Sequence, residues 1–152
     1  MTVRLEQMNS EEFQQYLNFA INHFADEQMK SGNWEPQEAI SKAAQEYEKL
    51  LPNGHKTEDN HLFTIRDESK EVGMIWLAQI TNEKGFIYGF NIWEENQGRG
   101  YGKQAMQEIE LLAKKMELKS IGLHVFAHNK TARSLYDKFG YIEKNIKMEK
   151  AL

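Results

Sequence analysis

Apolar positions recur along this chain at two spacings, and the change between them separates predicted helices from predicted strands. Residues 2–8 alternate between apolar and polar and predict a short strand. Apolar residues three and four positions apart then predict a helix over about 10–30, and Asn9 followed by Glu12 is typical of a capping box at its start. The same spacing predicts a second helix beginning near Pro36, because proline suits the first helical turn.

Three strand patterns occupy the middle of the chain. They cover residues 62–65, 72–80 and 86–93, and the last is rich in aromatic and β-branched residues. Short polar turns separate them. The sequence therefore predicts an antiparallel meander.

The final third returns to helical spacing, with one strand between two helices. Apolar residues predict a helix through Ala105–Met116, a strand at 120–126 and a helix over 129–139. Gly140 follows the last helix and is typical of the residue just after a helix end. Residues 141–148 predict one or two final strands.

Composition and charge narrow the chemistry. The 152 residues show no repeat or linker, so a single domain over 1–152 is predicted. A net charge of −4 without a long basic run argues against a nucleic-acid partner. The chain has no cysteine, which excludes disulfides, thiolate metal sites and an acyl-cysteine intermediate. Its five histidines do not form a spaced ligand set, so no metal is predicted.

Location is inferred from what the sequence lacks. No run approaches the roughly 18 apolar residues of a membrane span. The first residues show no apolar secretory segment. We therefore expect a cytoplasmic protein with no membrane partner.

A glycine-rich loop lies between the third strand of the meander and the next helix. It reads Gln97-Gly98-Arg99-Gly100-Tyr101-Gly102. Glycine permits positive φ angles, which lets successive amide groups point toward one anion. The helix that follows adds its own unpaired N–H groups and the positive end of its dipole. The segment therefore predicts a phosphate or pyrophosphate site, and the alternative is a flexible turn before a helix.

Two common phosphate loops do not fit this segment. A nucleoside-triphosphatase loop requires glycine six residues before its lysine and serine or threonine after it, but Gln97 and Gln104 occupy those positions around Lys103. A dinucleotide-binding loop that starts at Gly98 requires glycine at 103, which is lysine.

Two motifs together carry a family resemblance. Residues 97–102 resemble the Gln/Arg-x-x-Gly-x-Gly/Ala pyrophosphate loop of the GNAT superfamily of N-acetyltransferases. Residues 129–141 resemble its second signature, Asn-x-x-Ala-x-x-Leu-Tyr-x-x-x-Gly-Phe/Tyr. The motifs occur in the family's order, and the resemblance extends over the whole chain. Small bacterial GNAT proteins are the most similar group.

The resemblance implies an α/β fold with a mixed sheet. The sheet of this family is mostly antiparallel, is flanked by about four helices, and has parallel fourth and fifth strands that splay apart. Here those strands are 86–93 and 120–126. The cosubstrate implied is acetyl-CoA, whose pantetheine arm pairs with the splayed edge of the fourth strand.

The resemblance also implies which residues bind acetyl-CoA. Phe90, Asn91 and Ile92 supply the strand edge, and residues 97–102 (Gln97, Gly98, Arg99, Gly100, Tyr101 and Gly102) hold the pyrophosphate. Asn129 matches the asparagine that bonds the pantetheine. Asparagine is also a common helix N-cap, and one residue can fill both roles.

Two residues are candidates for proton transfer. Tyr136 matches the tyrosine that protonates the leaving thiolate in many members; the alternative is core packing, since it shares an apolar face with Leu135. His124 occupies a position that holds a glutamate base in some relatives, and an imidazole suits that task near neutral pH. The alternative for His124 is a strand residue without chemistry. Two lesser candidates for the base are His128 and a water chain that ends on Glu94 or Glu95.

These expectations predict direct transfer of an acetyl group to a primary amine of a small molecule or peptide. Two alternatives stay open: a non-catalytic acetyl-CoA-binding regulatory module, and transfer of a longer acyl group. In the family the acceptor is chosen by the first two helices, where Glu27, Trp34, Glu35 and Glu38 form either an acidic aromatic pocket or, as we prefer, a solvated helix face. A homodimer is a further possibility.

Overall fold

A computed structural model describes residues 2–152. Five strands form one sheet in the order β1-β2-β3-β4-β5. The strands are β1 (Val3–Gln7), β2 (Asn60–Asp67), β3 (Lys70–Gln79), β4 (Lys84–Ile92) and β5 (Ser120–Leu123). The first four are antiparallel neighbours, and β4 and β5 are parallel. The predicted meander and parallel pair are confirmed.

Four helices accompany the sheet: α1 (Ser10–Lys30), α2 (Pro36–Leu50), α3 (Tyr101–Lys115) and α4 (Lys130–Lys138). The capping box at Asn9 and Glu12 forms as predicted, because each residue's side chain accepts the other's backbone N–H. Pro36 occupies the first turn of α2. Gly140 follows α4 with a φ of +87°, as expected for the residue after a helix end.

The hydrophobic core lies on both faces of the sheet, with β3 at its centre. One large cluster joins β2 and β3 to α3, with Ile65, Ile75 and Met106 fully buried. A second joins the sheet to α1, where Trp76 and Met74 are fully buried. Helices therefore lie against both faces of the central strand.

The prediction of final strands at 141–148 is wrong. The chain from Tyr141 to Leu152 forms no strand or turn. Every residue from Ile142 onward is exposed. An alternating pattern becomes a strand only when its backbone groups pair with a neighbouring strand, and this segment pairs with none of the five strands.

Two further features concern membranes and metals. No helix among residues 2–152 is both long and apolar enough to span a membrane. No three His, Asp or Glu side chains in that range are grouped to hold a metal ion. The predicted location and the predicted lack of a metal stay predictions.

Candidate active site

The parallel pairing of β4 with β5 stops partway along β4. The paired residues run from Lys84 with Ser120 to Ile87 with Leu123. Beyond Ile87, β4 continues to Ile92 while bonded only to β3. The two strands therefore part as predicted, and one edge of β4 has no strand partner among the described residues.

A cavity of about 430 Å³ opens where the two strands part. Strands β4 and β5 supply one side, helices α1 and α2 another, and α4 a third. Five residues predicted for the site line this cavity: Phe90, Asn91, His124, Asn129 and Tyr136. They come from three regions that are distant in sequence, and the fold brings together in this cavity five of the twelve residues implied by the resemblance.

Ile92 and the glycine loop lie beyond the end of this cavity. The Ile92 carbonyl accepts a hydrogen bond from Gln97 Nε2 at 2.9 Å, which ties the end of β4 to the start of the loop. A Cβ added at Gly102 would lie 3.9 Å from both Phe90 and Ile92 side chains. The loop is therefore adjacent to the strand edge that the cavity exposes.

The loop has the conformation of an anion-binding turn. Gly98 and Gly100 have φ angles of +77° and +84°, and Arg99 lies between them. No atom lies within 4 Å of a Cβ added at Gly98, so its outer side is open. Helix α3 begins at Tyr101, and its first-turn N–H groups have no helical acceptor. These amide groups suit a pyrophosphate.

Tyr101 contributes to the loop through its backbone alone. Its side chain is buried, and its hydroxyl donates to Asp67 Oδ2 at 2.6 Å, at the end of β2. The phenol therefore anchors the start of α3 to the sheet. Arg99, by contrast, is exposed on the loop.

Tyr136 is held in a partly buried position on α4. Burial raises the pKa of its phenol from the ordinary value of 10.0 to about 12. Its ring lies edge-on to the Tyr141 ring, with centroids 5.8 Å apart. Tyr136 both packs against the large core cluster and lines the cavity, so the two interpretations made from the sequence are compatible.

Asn129 caps α4. Its Oδ1 accepts the Ala132 N–H at 3.2 Å, so the N-cap interpretation is confirmed. The same residue lines the cavity. His124, just past the end of β5, is exposed at the cavity and lies edge-on to Phe126, with centroids 4.8 Å apart.

Sequence analysis missed a contact between a carboxylate and a histidine. Glu27 lines the cavity with only 13% of its side chain exposed, and His128 Nε2 contacts its Oε2. His23 Nε2 lies 4.0 Å from the other carboxylate oxygen. Glu46 of α2 is a second carboxylate at the cavity. Glu27 and His128 are 101 residues apart, so no spacing rule could pair them.

The other residues considered for an acidic pocket lie elsewhere. Trp34 packs edge-on against Phe24, with centroids 5.3 Å apart. Glu35 precedes α2 as its N-cap, and Glu38 pairs with Lys42 at 2.8 Å. Glu35 and Glu38 belong to the surface at the start of α2, in agreement with the preferred interpretation, whereas Trp34 lies partly buried in the α1–α2 loop. Of the four residues, only Glu27 reaches the cavity.

Aromatic rings form much of the cavity wall. Tyr88 lies 4.9 Å from Trp76 and 4.7 Å from Phe86, measured between ring centroids. Tyr47 lies 6.0 Å from Trp76 on the α2 side. These rings and the carboxylates of Glu27 and Glu46 line the same cavity, a combination that favours a cation.

Tyr16 closes the cavity against β4. It is buried, and burial together with neighbouring Tyr47 raises its pKa well above the ordinary value. A Cβ added at Gly89 would lie 2.6 Å from the Tyr16 hydroxyl oxygen. Glycine at this position therefore lets the phenol approach the strand backbone.

Comparison with known proteins identifies related sequences and folds. The model of the acetyltransferase (GNAT) family matches residues 18–141. The uncharacterized N-acetyltransferase YycN of Bacillus subtilis (strain 168) is 38% identical over 156 residues, with all of both chains covered. The crystal structure of YycN has a TM-score of 0.96 to this chain, with 37% identity and 99% of each chain covered.

Two more distant structures share the fold. The PaiA N-acetyltransferase from Thermoplasma acidophilum, solved in complex with coenzyme A, has a TM-score of 0.72 at 21% identity over 97% of this chain and 94% of its own. The spermidine N-acetyltransferase from Vibrio cholerae, solved with CoA and spermine, has a TM-score of 0.64 at 21% identity over 95% and 83%.

Proposed function

Because this chain belongs to the acetyltransferase (GNAT) family, we propose that it transfers the acetyl group of acetyl-CoA to a primary amine of a small cationic molecule or peptide. The observation that carries the proposal is the cavity at the point where β4 and β5 part, with the glycine loop at the far end of the same strand. Donor and acceptor meet there in one ternary complex.

The donor occupies the strand edge and the loop. The backbone of Phe90, Asn91 and Ile92 pairs with the pantetheine arm, and the amide groups around Gly98 and Gly100 hold the pyrophosphate. The PaiA enzyme, which shares this fold, was solved with coenzyme A. That complex supports a CoA thioester as the donor here.

The acceptor occupies the aromatic side of the cavity. Glu27 and Glu46 attract a cationic amine, and the neighbouring rings accommodate its methylene groups and charge. The spermidine N-acetyltransferase with spermine bound supports this class of acceptor, since spermine is a polycation. Polyamines and peptide N-termini are the first compounds to test.

The proposed reaction is a direct attack. The acceptor's ammonium first loses a proton to His124, and the free amine attacks the thioester carbonyl. The new C–N bond forms, the C–S bond breaks, and Tyr136 gives its proton to the departing thiolate. The second proton of the attacking nitrogen then passes through solvent to the Tyr136 phenolate, which leaves a neutral amide and free CoA. Backbone N–H groups on the open β4 edge stabilise the transient oxyanion, and alignment of two bound reactants supplies most of the acceleration.

Calorimetric titration with acetyl-CoA tests the donor site. In Gly98→Glu, a new carboxylate repels the pyrophosphate, and we expect affinity to fall about tenfold or more. Gly32→Glu is the matched control, because Gly32 has a similar φ of +75° and equally open space around an added Cβ. Equal affinity in wild type and Gly98→Glu would exclude this loop as the pyrophosphate site.

Turnover separates catalysis from binding alone. A coupled assay that detects free CoA, run with a panel of polyamines and peptides, should show release that depends on the amine. A panel of acyl-CoAs in the same assay measures acyl-chain preference. Tight acetyl-CoA binding without turnover on any amine would instead support a non-catalytic regulatory module.

A further inference from the structure

A second cavity, of about 340 Å³, lies beside the cavity where β4 and β5 part, which we call the acceptor cavity. The first half of α1 forms one wall of the second cavity. The start of β3, at Glu71, and the turn after β4, at Trp93 and Glu95, form the others. No step of the proposed reaction uses this space.

One face of α1 runs along both cavities. The α1 residues that line them recur three and four positions apart, from Glu12 to Gln28. This spacing places them on one helix face about 24 Å long. Tyr16 and Phe19 line both cavities, so the cavities meet at these two side chains. A linear molecule that follows α1 therefore reaches from one cavity into the other.

The second cavity lies on the acceptor side of the sheet. Trp93 packs, partly buried, against the core cluster that contains Tyr16 and Trp76, on the face covered by α1. Ile92 and Tyr101, on either side of the glycine loop, belong to the other cluster, on the face covered by α3. The proposed pyrophosphate site and the second cavity are therefore on opposite faces.

Two carboxylates of the second cavity are available to a ligand. Glu71 and Glu95 are exposed, and among residues 2–152 neither forms an ion pair. Arg66 lies opposite Glu71 in the register of β2 and β3, but it pairs with Glu6 and Glu12. The cavity therefore retains two negative charges that no described cation pairs with.

The aromatic walls suit a chain of methylene and ammonium groups. Phe19 and Trp93 lie edge-on, with centroids 5.2 Å apart, and Phe19 is 38% exposed. Ammonium groups bind to aromatic rings as well as to carboxylates. Ionised carboxylates accept hydrogen bonds and donate none, so these walls match a molecule with N–H donors and no carbonyl groups. A linear polyamine has this chemistry, and a peptide does not.

The distance between the cavities sets the length of such a molecule. Phe90 lines the acceptor cavity, and Trp93 lines the second. Three residues of extended chain separate them by about 10 Å. An extended chain advances about 1.2 Å per bond, so about eight bonds join two nitrogens at this distance. Spermidine spans this distance between its terminal nitrogens, whereas putrescine is too short.

We propose that the second cavity binds the distal ammonium group of a linear polyamine while the other terminal amine is acetylated in the acceptor cavity. Glu71, Glu95 and the Trp93 ring hold the distal charge, and the methylene chain crosses Phe19. The enzyme therefore selects acceptors by the distance between their charged nitrogens. This inference rests on the proposed acetyl transfer for its kinetic consequence, but binding of the polyamine is measurable without it.

Steady-state kinetics with acetyl-CoA and two amines tests the selection. We expect KM for spermidine to be at least about tenfold below KM for putrescine, because only the longer amine gains contacts to charged groups in the second cavity. Glu71→Gln should raise KM for spermidine about fivefold or more and leave KM for putrescine within twofold of wild type. Glu83→Gln is the matched control, because Glu83 is exposed in the β3–β4 turn and lines neither cavity.

Calorimetric titration with spermidine in excess CoA, which carries no acetyl group, separates this site from catalysis. Wild type and Glu83→Gln should bind spermidine more tightly than Glu71→Gln does. Equal affinities in wild type and Glu71→Gln would overturn the proposal, and so would equal KM values for spermidine and putrescine in wild type. A basic peptide with a lower KM than spermidine would also overturn it. If no amine releases CoA, acetyl transfer is refuted, whereas an affinity for spermidine that depends on Glu71 would still support the second cavity as a cation site.

Discussion

The phenol of Tyr136 combines partial burial with a position at the cavity. Burial raises its pKa to about 12, so the group keeps its proton throughout the neutral range and is available to donate it. The adjacent Tyr141 ring does not line the cavity, although burial also raises its pKa. The two tyrosines therefore form a natural pair for comparison.

Tyr136→Phe should lower kcat about 100-fold while leaving the acetyl-CoA dissociation constant within twofold of wild type, because a general acid acts in the transition state and contributes little to binding. Tyr141→Phe is the control and should retain wild-type kcat. Steady-state kinetics with calorimetry measures both quantities. A Tyr136→Phe enzyme with normal kcat removes this residue from the proton transfer.

Glu27 and His124 should affect different kinetic constants. If Glu27 binds the ammonium group of the acceptor, Glu27→Gln raises KM for the amine about tenfold and changes kcat little. If His124 is the base, His124→Gln lowers kcat and leaves KM for the amine close to the wild-type value. Both constants come from one set of assays over pH 6–9. If Glu27→Gln lowers kcat and His124→Gln does not, the base is the Glu27–His128 pair and not His124.

Sequence analysis predicted some residues of the site and missed others. Asn129 and Tyr136 were predicted because they match positions of the second motif. Phe90 and Asn91 were predicted because the family resemblance implies an open edge on the fourth strand, and all four residues line the cavity. The Glu27–His128 contact was missed, because it depends on how α1 packs beside the segment before α4. That packing is a long-range property with no local signature.

Two glycines lie where other elements pack close to β4: Gly89 in the strand itself and Gly102 in α3. At Gly89, an added Cβ would lie 2.6 Å from the Tyr16 hydroxyl, which is held by burial in α1. At Gly102 in α3, an added Cβ would make contacts of 3.5 Å or longer, which are ordinary. The same substitution should therefore have opposite effects at the two positions.

Gly89→Ala should lower the free energy of unfolding by about 1–3 kcal/mol, because the buried phenol cannot move freely. Gly102→Ala should be neutral or stabilising by up to about 1 kcal/mol, since alanine favours helices. Urea denaturation measures both. In the Gly89→Ala background, Tyr16→Phe should recover part of the loss, and additive effects would show that the hydroxyl is not the obstacle.

The elements were predicted well wherever the signal was local. Helix α1 begins at the predicted capping box, and β2, β3 and β4 each enclose or closely match the predicted strand segments. Two predictions were wrong. The strand predicted over 120–126 ends at Leu123, which leaves His124 outside it, and residues 141–148 alternate like a strand but remain unpaired. Strand formation requires a partner edge, and a single sequence does not show whether that edge belongs to the same molecule.

The molecule as a whole should lose stability at alkaline pH. Burial raises the pKa of Tyr16, Tyr47, Tyr136 and Tyr141 above the ordinary value of 10.0. A phenol with a raised folded pKa contributes stability that is fully present below pH 10 and is lost as the pH rises toward its folded value, which is about 12 for Tyr136.

We expect the free energy of unfolding to fall above pH 10 by about 1.4 kcal/mol per pH unit for each phenol that ionises only on unfolding. Tyr136→Phe should lessen this slope by up to one such increment between pH 10 and 12. Urea titrations at several pH values, with phenolate absorbance followed in parallel, provide the measurement. An unchanged slope in the variant would mean that Tyr136 ionises equally well in the folded protein.

Because β4 parts from β5, the protein without acetyl-CoA has an unpaired strand edge that affects its tendency to self-associate. The stretch Phe86–Ile92 is aromatic, uncharged and free of proline, and beyond Ile87 one of its edges is unpaired. Segments of this kind tend to aggregate by pairing with the same strand in other molecules. If the pantetheine arm occupies that edge, the cosubstrate protects the protein from self-association as well as supplying its acetyl group. Acetyl-CoA added during expression and storage would then act as a solubilising ligand.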